Sequence, residues 1–268
     1  MARAGAQGRP FYSGTQRVTG YMVAIAEILD GVARSAGRPI RVLDMPAGHG
    51  QFTDLLRDRG HLVVSADING RRPDYVFADM NASLPFDDGA FDAVVCMEGI
   101  EHVLDAVQLI AELIRIARPG GRIVISTPNI TSFHSRMQFL LTGTFYQFSP
   151  ADFRDLPPGA EEDRGHISPM TYTQVRYFAN LHGADMVAVL GDRWKRKVLL
   201  PLYLLLHACG RPWSWRLFHA APNEPWRARN RQMAAHMTSP ALLFARSAIY
   251  VLAKREPDRK SPVAATSD

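Results

Sequence analysis

The chain has 268 residues, of which 47% are hydrophobic, and this composition is enough to bury the core of a domain of ordinary size. Cys96 and Cys209 are its only cysteines, which excludes a disulfide framework and a cysteine-based metal site. The first ten residues contain no apolar run of the kind that opens a secretion signal, so we expect a cytoplasmic protein.

Charge is distributed unevenly along the chain. Residues 193–268 carry 14 Lys and Arg against 4 Asp and Glu, a net charge of +10, whereas residues 1–192 carry 17 against 22, a net charge of −5. A basic C-terminal part predicts an anionic partner, such as lipid headgroups, a nucleotide-linked substrate or RNA. An arginine-rich surface that faces only solvent is the alternative.

Helix and strand patterns alternate from the first helix to about residue 126. The predicted helices are 16–32, 51–57 and 102–117, and the predicted strands are 40–43, 61–66, 91–97 and 122–126. This alternation is typical of a parallel sheet with helices on both faces, so we predict a doubly wound α/β fold of the Rossmann type.

The pattern is less regular beyond residue 126. It predicts a helix over 131–141, a polar loop over 148–166, a helix over 171–182, and strands over 184–190 and 245–253. We therefore expect a core over 1–192, a basic and apolar helical cap inserted at 193–240, and the final core strand with a disordered tail over 241–268.

The most informative segment follows the first predicted strand. Asp44 closes that strand, and Gly48 and Gly50 supply a turn at which the backbone can approach a ligand closely. Asp67 ends the next strand, at about the distance where doubly wound folds place a carboxylate against ribose hydroxyls. Pro46 stands where a dinucleotide site requires its first glycine, and no third glycine follows. The pattern favours a ligand with ribose and adenine but without phosphates.

From this turn onward the chain resembles the class I S-adenosylmethionine (SAM)-dependent methyltransferases. The resemblance covers residues 40–190 and includes the segments 77–80, 84–96 and 113–129 in the family's order. It implies a mostly parallel seven-stranded sheet and SAM as the cofactor. The cofactor residues that it implies are Asp44, Ala47, Gly48 and Gly50 for the methionine part, Asp67 for the ribose, Ile68 for packing on the adenine, and Asp79 with Met80 for the adenine edge. A simple turn role is the alternative for Asp79.

The chemistry is expected where the fourth predicted strand ends. Glu98, Glu101 and His102 follow this strand, and ligands of open parallel sheets bind beyond the carboxyl ends of the strands. Two crowded carboxylates repel each other unless a cation or a proton lies between them. The group is therefore either part of a metal site or a general acid–base cluster.

The same residues resemble the Glu-x-x-Glu-His motif of the ubiquinone-biosynthesis O-methyltransferases and of the small-RNA 3′-terminal 2′-O-methyltransferases. In those families the motif binds a divalent cation, and the RNA enzymes add a histidine from a loop that corresponds here to His166. The resemblance implies Mg²⁺ or a similar ion on Glu98, Glu101, His102 and His166, where it would lower the pKa of an acceptor hydroxyl. A metal-free base role for His102 or His166 and a purely structural role are the alternatives.

The predicted cap contains an apolar run over 198–209, shorter than the roughly 20 residues of a membrane-spanning helix. Basic residues at 193–197 precede the run, and Trp213, Trp215 and Trp226 follow it among arginines. This composition predicts a segment that lies in a membrane interface, on the inner face of the membrane. A lid helix that packs on the core is the alternative.

These observations predict a SAM-dependent O-methyltransferase that acts on a hydroxyl of a small-molecule, glycan or lipid-linked acceptor. An RNA ribose 2′-O-methyltransferase is one alternative, and a SAM-binding regulatory module without turnover is another. The series of acidic residues together with the Glu98–His102 motif argues against a module without turnover. The apolar run within the basic segment favours lipid over nucleic acid as the partner of 193–240.

Overall fold

The computed structural model describes residues 17–70, 72–148, 165–194, 197–219 and 223–256. The strands are β1 (Arg41–Asp44), β2 (Leu62–Asp67), β3 (Tyr75–Phe77), β4 (Phe91–Met97), β5 (Ala117–Pro128), β6 (Ala184–Gly191) and β7 (Ser247–Lys254). The helices are α1 (Gly20–Ala36), α2 (Gln51–Asp58), α3 (Ala106–Ile116), α4 (Phe133–Thr142), α5 (Tyr172–Leu181), α6 (Leu200–His219), α7 (Glu224–Met237) and α8 (Pro240–Phe244).

The strands form one seven-stranded sheet in the order β3-β2-β1-β4-β5-β7-β6. Neighbours from β3 to β5 are parallel, whereas β7 runs antiparallel to both β5 and β6. All seven residues of β4 are buried, as expected for a central strand that helices cover on both faces. The predicted doubly wound, mostly parallel sheet is confirmed.

Side chains that alternate along β1 separate the core into two layers. Val42 packs with buried residues of α1 and α2, such as Ile25 and Phe52. Leu43 faces the other way and packs with buried residues of α3 and α5, such as Leu109. This alternation in a strand of four residues shows how a short apolar run can hold helices on both faces of a sheet.

The structure corrects the start of the predicted helix 102–117. A 3₁₀ turn over Ile100–His102 comes first, and α3 begins only at Ala106. Asp105 caps this helix, because its carboxylate accepts hydrogen bonds from the backbone N–H groups of Val107 (3.0 Å) and Gln108 (2.9 Å). The separate turn contains Glu101 and His102, two of the predicted site residues.

The predicted ends of the last three strands also change. β5 begins at Ala117 rather than at residue 122 and includes Gly120, whose φ of 72° is left-handed, and its register with β4 shifts near Phe91. β6 extends one residue beyond its predicted end. β7 begins at Ser247, because α8 precedes it and Ala245 forms only an isolated bridge with Trp194.

The helical insertion predicted before the last strand is present as a 3₁₀ turn over Lys197–Leu199 followed by α6, α7 and α8. The apolar helix α6 is longer than the predicted run 198–209, because it has 20 residues and continues through Pro212. Still, no helix among the described residues is long and apolar enough to cross a membrane. Most of the predicted loop 148–166 and the predicted tail from residue 257 lie outside the described residues.

Candidate active site

A cleft of about 940 Å³ opens at the carboxyl ends of β1, β2 and β4. In the strand order, β1 lies between β2 and β4, so the cleft lies where the direction of winding reverses, which is the usual ligand site of such sheets. Its lining includes seven of the predicted cofactor and catalytic residues that border β1, β2, β3 and β4: Ala47, Gly48, Asp67, Ile68, Met80, Glu98 and His102. His166 also lines the cleft.

The predicted glycine turn joins β1 to α2. Gly48 and Gly50 have φ values of 55° and 85°, which favour glycine. A Cβ at Gly50 would also lie 2.7 Å from the Tyr75 hydroxyl and collide with the Arg72 side chain. Gly50 itself does not line the cleft but begins α2, so its role in the structure is to hold the turn.

Pro46, the residue that departs from the glycine pattern, lines the cleft and packs against Gly99. A Cβ at Gly99 would lie 2.7 Å from Pro46 Cδ and 3.2 Å from Cys96 Sγ. A larger residue at either end of this contact would require the turns after β1 and β4 to separate. Gly99 between Glu98 and Glu101 therefore has a packing role that the sequence did not reveal.

Asp67 ends β2 and is 2% exposed. Its Oδ2 accepts a hydrogen bond from the Gly48 N–H (2.8 Å), and its Oδ1 accepts one from the Asn69 N–H (3.0 Å). Each carboxylate oxygen can accept a further hydrogen bond. Two backbone donors therefore fix an acceptor group at the wall of the cleft.

Asp79 does not line the cleft, although its neighbours Ala78 and Met80 do. Its Oδ1 accepts hydrogen bonds from the Asn81 backbone N–H (2.8 Å) and side-chain amide (3.2 Å). Such a local ring of bonds is typical of a turn-forming aspartate. The structure thus favours the turn role for Asp79.

Asp44 is buried behind the glycine turn and is not among the lining residues. Its Oδ2 accepts a hydrogen bond from the Thr53 hydroxyl (2.6 Å), whereas its Oδ1 has no hydrogen-bond partner. Burial raises the pKa of Asp44 to about 7, repulsion by Asp67 adds to the rise, and the Thr53 hydrogen bond opposes it. An incompletely satisfied carboxylate therefore lies directly beneath the turn.

The 3₁₀ turn after β4 brings Glu101 and His102 to His166. The backbone N–H groups of Ile167 and Ser168 donate to the Glu101 carbonyl (2.9 and 3.0 Å), so the segment that contains His166 is attached to the turn. The ring centroids of His102 and His166 are 4.8 Å apart at an interplanar angle of 82°. Candidate ligand atoms of Glu101, His102 and His166 all lie within 4.8 Å of one another.

Glu101 is fully buried, and neither carboxylate oxygen makes a hydrogen bond of good geometry. Burial raises its pKa well above the usual range, repulsion by Glu98 adds to this rise, and the nearby Thr127 hydroxyl offsets part of it. A proton or a cation at this carboxylate would offset both the cost of burying its negative charge and the repulsion by Glu98. The arrangement can therefore hold a proton or a divalent ion.

Glu98 lies outside this group of three in the described part of the chain. Its φ of 48° is left-handed, which is a strained conformation for a residue with a side chain. Its Oε1 accepts a hydrogen bond from the Ser126 hydroxyl (3.2 Å). Burial raises the Glu98 pKa, and Arg246 is the strongest influence that opposes the rise. The structure thus brings together three of the four predicted ligands and leaves Glu98 beside Arg246.

Several lining residues were missed by the sequence interpretation: Tyr21, Asp192, Arg193 and Arg246. Tyr21 lies in the first turn of α1, and burial, followed by repulsion from Glu98, raises its pKa. Asp192 follows β6, whereas Arg246 precedes β7, and their charged groups are 3.8 Å apart. Asp192 could have been recognised because it follows a predicted strand. Arg246 required knowing that β7 is antiparallel, so that its beginning lies at the cleft.

Comparison with known proteins places this fold and site in a family. A family model described as a methyltransferase domain matches residues 21–189, more than half of the chain. The chain is 40% identical over 125 residues to the demethylmenaquinone methyltransferase of Beutenbergia cavernae, which covers 42% of this chain and 51% of that protein. It is 26% identical over 174 residues to the ubiquinone biosynthesis O-methyltransferase of Xylella fastidiosa, which covers 60% of this chain and 68% of that protein.

The chain thus spans about half the length of the first of these relatives. Among solved structures, a SAM-dependent methyltransferase from Archaeoglobus fulgidus has a TM-score of 0.50 at 18% identity and covers 87% of this chain and 94% of that one. This likeness shows a shared fold.

The doubly wound sheet, the glycine turn and the cleft at its switch point define a nucleotide-type α/β domain. Together with the family match, they show that the chain belongs to the class I SAM-dependent methyltransferases. Membership of this family supports SAM as the cofactor of the cleft.

Proposed function

We propose that this protein transfers the methyl group of SAM to a hydroxyl of a glycan, a lipid-linked or another small acceptor. The observation that carries the proposal is the group of Glu101, His102 and His166. Two of these residues line the same cleft as the predicted cofactor residues. A hydroxyl acceptor must lose its proton during methyl transfer, and this group is built from proton acceptors.

The residues of the cleft fit SAM. Asp67 keeps acceptor capacity for the ribose hydroxyls, and Ile68 with Met80 offers an apolar surface for the adenine. The unsatisfied Oδ1 of Asp44, buried near a second carboxylate, favours a ligand with a positively charged group. When bound, SAM supplies an electrophilic methyl group on a positively charged sulfur.

His102 and His166 are the proposed catalytic residues. In its neutral form, an imidazole has one ring nitrogen that accepts a proton, so either side chain can take the proton of an acceptor hydroxyl. Their rings are close enough for one hydroxyl to approach both. Glu101 lies beside both histidines, and its carboxylate, when ionised, would favour the protonated form of the histidine that has taken the proton.

A divalent ion is the second proposed component of this site. Glu101, His102 and His166 would hold the ion, because carboxylate oxygen and imidazole nitrogen are suitable ligands and the candidate atoms all lie within 4.8 Å of one another. Such an ion would lower the pKa of the acceptor hydroxyl. Glu98 would become a fourth ligand only by turning away from Arg246.

The far wall of the cleft supports a polyhydroxyl acceptor. The Arg246 guanidinium makes no hydrogen bond to any described residue, so its N–H donors are available beside the Asp192 carboxylate. A donor and an acceptor side by side can bind two neighbouring hydroxyls of a sugar, and the Tyr21 ring offers a face for packing. A glycosyl group therefore fits this wall.

A phenolic hydroxyl of a quinone precursor is a second candidate acceptor. The names of the relatives point to quinone methylation, and the cleft also has an apolar part formed by Met22, Met45 and Met97. The two candidates differ in their demand on Arg246, because an apolar ring does not require its donors.

The test is methyl transfer from labelled SAM to three acceptors: a simple catechol, a methyl glycoside and a lipid-linked glycan. We expect transfer to the sugar-containing acceptors and identify the new bond as an O-methyl group by mass spectrometry. A parallel series with chelator, and then with added Mg²⁺ or Mn²⁺, reports the metal. Transfer only to the catechol would select the second candidate, and methylation on nitrogen or carbon would overturn the proposal.

A further inference from the structure

The cap helices α6 and α7 expose an unusual amount of apolar surface. Tyr203 is the only buried residue that either helix contributes among the described residues. Val198, just before α6, is 84% exposed, and Trp213 is 81% exposed. Other exposed apolar side chains of this part are Leu202, Leu204, Leu205, Leu206, Trp215, Leu217 and Trp226. Apolar patches of this kind mark contact sites for a partner.

Charge on the cap helices indicates which partner fits. Glu224 is paired with Arg231 (2.7 Å) and Arg227 (3.4 Å). Arg211 and Arg216 have no acidic partner among the described residues, and they flank Trp213 and Trp215 in α6. A second copy of the chain would bring the same positive charge to the contact, which opposes self-association. An anionic surface is complementary in both charge and apolar character.

Tryptophan and arginine beside leucine are also the residues that suit the boundary between lipid headgroups and acyl chains. Indole rings occupy the headgroup level, and long basic side chains reach the lipid phosphates while their stems stay apolar. Although helix α6 has 20 residues, it is not apolar enough to be a membrane-spanning helix. It therefore fits a helix that lies in the interface plane rather than across it.

The cap helices are attached to the rim of the cleft. Gly191, Asp192 and Arg193, which lead into the cap, line the cleft, and so does Arg246, which follows it. A bridge between Trp194 and Ala245 joins the two connections. A partner that binds the cap helices would thus lie only a few residues away from the part of the cleft formed by Asp192 and Arg246.

We propose that α6 and α7 seat the protein on an anionic membrane, with the leucines and tryptophans of α6 in the interface and Arg211 and Arg216 against lipid phosphates. The cleft would then receive a lipid-linked acceptor from that membrane. The second statement rests on the proposed function, whereas membrane binding itself does not.

The experiment is co-sedimentation of the full chain with vesicles of phosphatidylglycerol and phosphatidylcholine, or of phosphatidylcholine alone. We expect binding to the anionic vesicles at low salt and its loss as salt screens the arginines. The double variants Trp213→Ser/Trp215→Ser and Arg211→Glu/Arg216→Glu should each weaken binding by at least about tenfold.

Two matched controls test position rather than composition. Leu62→Ser removes an exposed apolar side chain at the start of β2, which is the end of the strand away from the cleft. Arg34→Glu reverses an exposed charge in the last turn of α1. Both variants should bind vesicles like the wild type. Calorimetric SAM affinity should be unchanged in all variants, which also verifies folding.

Three results would overturn the membrane proposal. They are no binding to anionic vesicles at any salt concentration, a dimer in light scattering that the Trp213/Trp215 variant abolishes, and binding of single-stranded RNA in place of vesicles through the same arginines. Vesicle binding without O-methyl transfer to any acceptor would instead leave this proposal intact and reject the proposed function.

Discussion

The wall of the cleft around Asp67 and the cap helices differ in how far the chain itself completes them. Asp67 is almost fully buried, and both of its carboxylate oxygens accept backbone hydrogen bonds. On α6, by contrast, Trp213 and most of its apolar neighbours face solvent. The wall around Asp67 is organised by the chain itself, whereas the cap helices leave a large apolar area exposed, as at surfaces that contact a partner.

The group of Glu101, His102 and His166 is intermediate between these two extremes. Its backbone is fixed by the bonds from Ile167 and Ser168, but the Glu101 carboxylate lacks a satisfactory partner. A buried polar group that the fold leaves unsatisfied destabilises the protein unless a ligand, proton or ion compensates for it. Incomplete hydrogen bonding within a rigid backbone therefore distinguishes this proposed reacting group from the wall around Asp67.

The largest expected effect concerns this group. His102→Ala, His166→Ala and Glu101→Gln should each lower kcat by at least roughly 10²-fold while SAM affinity stays unchanged. His182→Ala, an exposed histidine at the end of α5, serves as the control and should retain the wild-type rate. Loss of activity with chelator and its return with a divalent ion would show metal use. Wild-type rates in both His102→Ala and His166→Ala would reject the assignment.

The fold and much of the site could be predicted from the sequence because their signals are local. An apolar run such as β4 must be buried, and a glycine turn between a strand and a helix has few structural solutions. Gly48, Asp67, Ile68, Met80, His102 and His166 all lie at the cleft as their positions along the chain suggested. His166 is the exception, because it lies far along the chain from Glu101 and His102, and the family resemblance identified it.

The remaining features depend on contacts between distant residues, which the sequence alone does not reveal. Glu98 has a left-handed φ and lies outside the group around Glu101, and no local pattern indicates that conformation. Arg246 reaches the cleft only because β7 runs antiparallel to β5. The break before α3 depends on the cap at Asp105, which has a familiar signature but was overlooked within a longer apolar pattern.

The next prediction examines the cofactor wall. Asp67→Ala should weaken SAM binding by about 1–3 kcal/mol, because buried ribose hydroxyls would lose a charged acceptor. Asp79→Ala removes a carboxylate that stays in its own turn, so it should change SAM affinity much less. Isothermal titration calorimetry measures both. Equal losses in the two variants would show that the wall extends to Asp79 and that its turn role is not its only one.

Asp44 allows a test of stability against pH. Its folded pKa of about 7 lies above the ordinary aspartate value of 3.8, so the stability that the protonated carboxyl contributes is present below pH 3.8 and is lost as the pH rises through 7. Asp44→Asn cannot ionise. In the absence of SAM it should therefore be more stable than the wild type at pH 8, by about 2 kcal/mol after relaxation of the buried site, and by less than half of this at pH 5.

Asp92→Asn is the control for that measurement, because folding lowers the pKa of Asp92, whereas it raises the pKa of Asp44. Burial raises the pKa of Asp92, but hydrogen bonds from the Arg38 side chain and the Arg41 backbone N–H outweigh it and lower the pKa overall. This variant should lose stability at pH 8 and approach the wild type as the pH falls below the usual range of a carboxyl group. Urea unfolding at pH 3, pH 5 and pH 8 reports both variants. A destabilised Asp44→Asn protein at pH 8 would contradict the description of Asp44.

The smallest expected effect lies where the two regions meet, at Arg246. Arg246→Lys keeps the positive charge near Glu98 and Asp192 but removes the planar pair of donors, so the KM for a sugar-containing acceptor should rise by about tenfold while kcat and SAM affinity change little. Arg34→Lys, at the far end of α1, should leave all three values unchanged. A fall in kcat with an unchanged KM would instead place Arg246 with the reacting group, as a charge that holds Glu98 in position. In that case the acceptor would have to bind the apolar residues of the cleft, and the quinone-type acceptor would become the better candidate.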